Sequence, residues 1–311
     1  MHKHWALAFS YFAVVATQNI SAWHVVWVGG QSNSVGTNSQ RNSYPVFPLN
    51  PNITMYCWDR KQPSFEPAQY PICNDANVGF SLTYANLLYQ TLPPGHGVVI
   101  ISTGVGGTGF HDHNWGAPNG TLLLRSVYNT QQLFQFLPSS LGGSATLHSM
   151  LWHQGELDAG DNGAAYQATY CTYLMDDLSN MIDYVREKIP TASSATPFLD
   201  GGLLPFWEDK ISGTSNVQRA IYSLNSSRAC TGTADSRVFA DLTPDGRPNG
   251  DPNYRSGVSG LVIHFDATQA FFMGFQYWRA YLNSLQVTSV VSNSETLACG
   301  APLQPTVPRC G

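Results

Sequence analysis

Trp23-His24-Val25-Val26-Trp27-Val28-Gly29-Gly30-Gln31-Ser32-Asn33-Ser34 begins as a β-branched and aromatic run and ends in two glycines and a polar quartet. A short apolar run of this composition reads as a strand buried on both faces, as in a parallel sheet. Further runs of the same kind follow at residues 97–103 (GVVIIST), 147–153 (LHSMLWH), 197–204 and 237–242 (RVFADL). Helical spacing fills the intervals at residues 80–92, stopped by Pro93-Pro94, and at 166–189, where Leu174, Leu178, Met181, Ile182 and Val185 share a face before Pro190. Residues 216–224 and 267–282 are two more helical stretches. Strands alternating with helices predict an α/β fold with a mostly parallel five-strand sheet. Residues 37–76, rich in Pro, Asn and Ser, read as a long surface loop stapled by cysteine.

The chain of 311 residues is long enough for one large domain. Its 43 % hydrophobic content excludes a disordered chain. Charged residues make up only 11 %, the formal net charge is -5, and no Lys/Arg run occurs, so a nucleic-acid partner is not expected. Residues 1–22 read as a signal peptide: Lys3 lies between His2 and His4, residues 5–16 are almost wholly apolar, and the small Ala22 precedes Trp23. No later segment is apolar for long enough to suggest a transmembrane helix. Six cysteines, Cys57, Cys73, Cys171, Cys230, Cys299 and Cys310, without CxxC or zinc spacing suggest three disulfides in an exported protein. Cys57–Cys73 and Cys299–Cys310 close the shortest loops, which leaves Cys171–Cys230. Asn52-Ile53-Thr54, Asn119-Gly120-Thr121 and Asn225-Ser226-Ser227 are glycosylation sequons, so a secreted glycoprotein is expected. The organisation read from these signals is a signal peptide 1–22, one catalytic domain 23–286 and a short Cys-containing extension 287–311.

Ligands in open α/β sheets bind beyond the carboxyl ends of the strands. Four segments at or near such ends carry chemistry: Gly30-Gln31-Ser32-Asn33, the glycine-rich 104–109, Gln154-Gly155-Glu156, and His264-Phe265-Asp266 before the last helix. Each alone has a plain structural reading, as a helix cap, a tight turn, a second cap and a core histidine. Together they supply a hydroxyl nucleophile, an imidazole base, an acid and oxyanion donors.

The same residues resemble a known family. Gly30-Gln31-Ser32-Asn33 with Gly36, Gly106-Gly107-Thr108 with Trp115, Trp152-His153-Gln154-Gly155-Glu156 with Asp158-Ala159, and His264-Phe265-Asp266-Ala267 with Gly274 resemble the blocks of the sialate O-acetylesterase / carbohydrate esterase family 6 group. That group belongs to the SGNH-type hydrolases, so the resemblance implies a three-layer α/β/α sandwich around a five-strand parallel sheet. It implies that Ser32 is the nucleophile and His264 the base. The oxyanion hole would use the Ser32 N–H, a Gly106 or Gly107 N–H and the Gln154 amide. Many SGNH enzymes carry Asp three residues before the histidine, where this chain has Leu261. Glu156 is therefore the candidate for the orienting acid, with Asp266 the alternative. Asn33 and Trp115 are expected to contact substrate, and Trp58, Phe206 and Trp207 are further candidates for stacking on sugar. The implied reaction removes O-acetyl groups from carbohydrate, either acetylxylan or another acetylated polysaccharide, or O-acetyl sialic acid, with no cofactor or metal. Two other readings stay open on the residues alone. One is a metal hydrolase built on His111, His113 and His153; the other is a non-catalytic carbohydrate-binding protein on the same scaffold.

Overall fold

The computed structural model describes residues 19–37, 47–73, 75–160, 168–204, 214–239 and 264–285. One seven-stranded sheet runs through it in the order β3-β2-β4-β1-β5-β6-β7. The strands are β1 (Ala22–Gly30), β2 (Ile53–Cys57), β3 (Ser64–Pro67), β4 (His96–Ser102), β5 (Ser144–His153), β6 (Phe198–Gly201) and β7 (Thr231–Ala234). Every pairing is parallel except β3 on β2, which is antiparallel at the edge. The helices are α1 (Ser81–Tyr89), α2 (Thr121–Ser140), α3 (Ser179–Lys188), α4 (Thr214–Ser227) and α5 (Ala267–Leu285). A π-helical segment, Thr172–Leu178, runs directly into α3.

The order places β1 at a reversal. After β1 the chain passes out to β2 and the edge strand β3, returns to β4 beside β1, then crosses to β5, β6 and β7 on the other side. Right-handed crossovers in opposite directions put their helices on opposite faces. Accordingly α1 packs with α5 as one layer, and α2, α3 and α4 form the other, giving an α/β/α sandwich. In open α/β sheets ligands bind beyond the carboxyl ends of the strands where the order reverses, which here are the ends of β4, β1 and β5.

The sheet differs from the five strands expected. Both extra strands come from the stretch read as a surface loop. Ile53–Cys57 is buried at every position and lies inside the sheet, between β3 and β4; its Asn- and Pro-rich flanks hid it. The last strand is Thr231–Ala234, ahead of the expected 237–242, whose first residues lie instead in a short 3-10 turn, Ser236–Phe239. Helix α2 was not anticipated, although Leu123, Val127, Thr130, Leu133 and Leu137 follow helical spacing and are buried.

β1 is the centre of the core. Val25, Val26, Trp27 and Val28 have no exposed surface, and burying each such side chain contributes about 1.5–3 kcal/mol. The Trp27 ring lies parallel to that of Trp152, and Trp115 meets Trp152 edge-on. The one polar atom this tryptophan brings inside is satisfied by a buried relay. Trp27 Nε1 donates to Ser126 Oγ (2.8 Å), Ser126 Oγ to Thr103 Oγ1 (2.7 Å), and Thr103 Oγ1 to Val28 O (2.9 Å). The relay ties α2 to the ends of β1 and β4, directly beneath the functional loops.

A disulfide joins Cys57, at the end of β2, to Cys73. Cys171 and Cys230 are also disulfide-bonded, whereas Cys299 and Cys310 lie outside the described residues. No helix among the described residues is long and apolar enough to cross a membrane.

Candidate active site

The loop after β1 is set by Gly30. Its φ is +123°, and a Cβ there would lie 2.1 Å from the carbonyl oxygen of His153. Only glycine lets the end of β1 pass this close to the end of β5. Gln31 N–H then donates to His153 O (2.9 Å), and the chain turns, with Ser34 N–H and Ser34 Oγ–H both donating to Gln31 O. Ser32 stands in this turn.

The loop after β4 comes to meet it. Val105 N–H donates to Gly30 O (2.9 Å). A Cβ on Gly104 would lie 2.1 Å from Ser34 Oγ, and one on Gly106 would lie 3.7 Å from Ser32 Cβ. Gly106 thus lies beside the candidate nucleophile. Gly107 has φ +69°, and open space lies where its Cβ would be. Among the described residues the N–H groups of Ser32, Gly106 and Gly107 donate to no acceptor. Donors held ready in the free protein are what an oxyanion hole requires.

Asn33 links the third and fourth segments to the first. Its Nδ2 donates to Glu156 Oε1 (2.6 Å), and its Oδ1 accepts the Phe265 N–H (3.0 Å). Ser32 precedes Asn33 and His264 precedes Phe265, so this bond brings together the two backbone segments that carry the expected nucleophile and base. Glu156 Oε1 also lies 3.7 Å from His153 Nε2. Burial holds the His153 imidazole neutral, with its pKa lowered to about 3.

Gln154 and Asp158 form a second brace. Asp158 accepts hydrogen bonds from Phe110 N–H (3.0 Å), His111 N–H (2.8 Å) and Gln154 Nε2 (2.7 Å). Burial raises its carboxyl above the ordinary range, and these bonds pull it part of the way back. Gln154 Nε2 also donates to Gln31 Oε1 (3.2 Å), and the Tyr173 hydroxyl donates to Gln154 O (2.8 Å). An amide nitrogen has two hydrogens, and both are used within the protein. Gln154, wholly buried, therefore acts as a strut between β5 and the loops after β1 and β4. This corrects the expectation that its amide faces an oxyanion.

Three further expectations are corrected. Trp115 has no exposed surface, and its Nε1 donates to Thr108 Oγ1 (2.9 Å), so it packs in the core and offers no face to a sugar. Asn33 is 2 % exposed and is a brace rather than a substrate contact. Asp266 caps α5: its Oδ1 accepts Gln269 N–H (2.7 Å) while Gln269 Oε1 accepts Asp266 N–H (3.1 Å), a reciprocal capping box that occupies the alternative acid. His111 and His113 are exposed while His153 is buried, and among the described residues no three such groups converge to hold a metal. Trp58 is half-buried, with Nε1 bonded to Ser102 O (2.7 Å). Phe206, Trp207 and Leu261 lie outside the described residues. Sequence reasoning missed the bracing roles of Asn33 and Asp158, although both stand inside the quoted motifs.

The sequence matches the family profile described as carbohydrate esterase, sialic acid-specific acetylesterase, over residues 22–236. The chain belongs to this acetylesterase family. It is accordingly a carbohydrate esterase, a carboxylic ester hydrolase acting on acetyl groups. The matched region runs from β1 past β7 and holds Ser32, Gly106, Gly107, Gln154 and Glu156; His264 lies beyond it. Solved structures share the fold. A protein from Arabidopsis thaliana superposes with a TM-score of 0.59 at 17 % identity, covering 86 % of this chain and 98 % of its own. NanS superposes with a TM-score of 0.58 at 15 % identity, again over 86 % and 98 %. A carbohydrate acetylesterase from Xanthomonas citri gives 0.51 at 16 % identity over 84 % of this chain and 55 % of its own. No curated protein matches the sequence.

Proposed function

We propose that this carbohydrate esterase is a secreted serine enzyme that removes O-acetyl groups from polysaccharide or sialic acid through an acetyl-enzyme. The observation that carries the reading is the Asn33–Phe265 bond, which sets the Ser32 and His264 segments side by side next to unused backbone donors. Ser32 Oγ attacks the acetyl carbonyl, and His264 takes its proton. The oxyanion rests on the Ser32 N–H and the Gly106 or Gly107 N–H. Glu156 stabilises the imidazolium that forms, and the sugar hydroxyl leaves with the proton from His264. Water then attacks the acetyl-enzyme with His264 again as base, releasing acetate.

Export rests on residues 1–22, with one refinement. Ser21 N–H donates to Gly95 O, Ser21 O accepts Ser144 N–H, and Ala22 already pairs with β4 and β5. Cleavage ahead of Ser21 keeps this pairing. Asn119 and Asn225 are exposed and suit glycans, whereas Asn52 Nδ2 donates to Tyr89 Oη (2.6 Å).

The test is acetate release from acetylxylan and O-acetyl sialic acid by the wild type, Ser32→Ala, His264→Ala and Glu156→Gln. The first two variants are expected to lose on the order of 10⁴-fold or more in kcat, and the third about 10²–10⁴-fold. A fluorophosphonate probe is expected to label Ser32. Activity surviving Ser32→Ala refutes the mechanism, and absence of both labelling and acetate release favours a binding protein on this scaffold.

A further inference from the structure

The geometry points to Asn33 as a positioning residue that sets the catalytic acid and base through its two amide ends. This rests on the serine esterase reading and adds a role to it. The Asn33 side chain bonds to residues 123 and 232 positions away along the chain. Its orientation is dictated by what it meets. The Phe265 N–H can only donate, so it takes the amide oxygen, which leaves the amide nitrogen to donate to Glu156 Oε1. At 2.6 Å the bond to Glu156 is the shorter of the two, against 3.0 Å for the bond from Phe265. An aspartate of the same size offers this donor and acceptor pair only while it is protonated.

Two consequences follow for the chemistry. The bond to Oε1 fixes the Glu156 carboxyl that the proposed mechanism sets against the imidazolium on His264. The bond to Phe265 fixes the backbone carrying His264 relative to the turn carrying Ser32. Both effects reach the reaction through other residues, because the 2 % exposure of Asn33 leaves no surface for a sugar.

Two variants separate this from a structural or substrate-binding role. Asn33→Ala removes both bonds. Its kcat is expected to fall about 10–10²-fold, the range set by small misplacements of catalytic groups, with KM within about twofold. Asn33→Asp keeps the acceptor for Phe265. Toward Glu156 it keeps a donor only while the two carboxyls share a proton, and two buried carboxyls release that shared proton late. The Asn33→Asp enzyme should approach wild-type kcat at the acid end of its range. It should then lose activity as pH rises, with an alkaline limb that the wild type lacks.

The measurement is kcat and KM for a soluble acetylated sugar from pH 5 to 9, with fluorophosphonate labelling of Ser32 in parallel. The inference is overturned if Asn33→Ala keeps kcat within twofold. It is overturned equally if the loss lies wholly in KM, or if the Asn33→Asp profile runs parallel to wild type. Should Asn33→Ala fail to fold by circular dichroism, the Asn33→Asp profile alone decides. A wild type that neither labels at Ser32 nor releases acetate refutes the esterase mechanism itself. Variants that match a fully active wild type refute only the role of Asn33.

Discussion

Asp75 lies just past Cys73 and packs against the end of β4, next to the loop that holds Gly106. Burial raises its carboxyl from 3.8 to about 8; the hydrogen bond from Ser102 Oγ opposes the rise and the nearby Asp59 adds to it. In the unfolded chain the same carboxyl releases its proton near pH 3.9. Between those values the folded protein holds one proton more than the unfolded chain. Stability from this group is therefore full at acid pH and falls as pH rises toward 8, by about 1.4 kcal/mol per pH unit. The substitution Asp75→Asn installs an amide that matches the protonated acid in shape, keeps the acceptor for Ser102 and has no proton to lose. Relative to wild type, Asp75→Asn should therefore gain about 3 kcal/mol of stability between pH 5 and pH 7, two units at that slope. The assay is urea unfolding of both proteins at pH 5, 6, 7 and 8. A stability difference that stays constant across these pH values refutes the reasoning, because it means that Asp75 is ionised in the fold throughout.

Three other outcomes are expected. A Cβ on Gly109 would lie 2.8 and 2.9 Å from the Asp158 carboxylate oxygens, so Gly109→Ala should push that brace aside, costing about 1–3 kcal/mol and lowering kcat together with stability; an unaltered melting temperature contradicts this. Replacing Cys57 and Cys73 together by Ala opens a loop of sequence separation 16 and should cost about 3 kcal/mol in urea unfolding, with equal midpoints as the contrary result. His148, half-buried beside His24 and Tyr281, is held neutral with its pKa lowered to about 3 by desolvation first and by His24 second. Stability from this group is full above pH 6.5 and is lost as pH falls toward 3, so His148→Phe should unfold less readily at pH 4 relative to pH 7 than wild type does; parallel acid unfolding curves would count against it.

The four candidate segments were legible in the sequence because each is local. Ser32, Gly106, Gln154 and Glu156 each follow a strand that local composition reveals, and the glycines between them mark close backbone approach. Their roles were less legible. Gln154 looks like a free donor until Asp158 and Gln31 are seen to take its two hydrogens. Asp266 looks like a spare acid until Gln269 completes its capping box. Trp115 looks like a sugar platform until Thr108 and Trp152 enclose it. In each case the deciding partner is a hydrogen-bond or packing neighbour whose position depends on the folded chain.

The amino-acid sequence alone determined the class of fold, the central strand and the family, because buried parallel strands and motif glycines leave marks within a dozen residues. Tertiary structure decided which strands complete the sheet, since Ile53–Cys57 belongs to it only by pairing with β4 and β3. It also decided which polar residues can meet substrate and which are consumed as braces. A side chain has a fixed number of hydrogens and lone pairs, and only the packed chain shows how many are already spent.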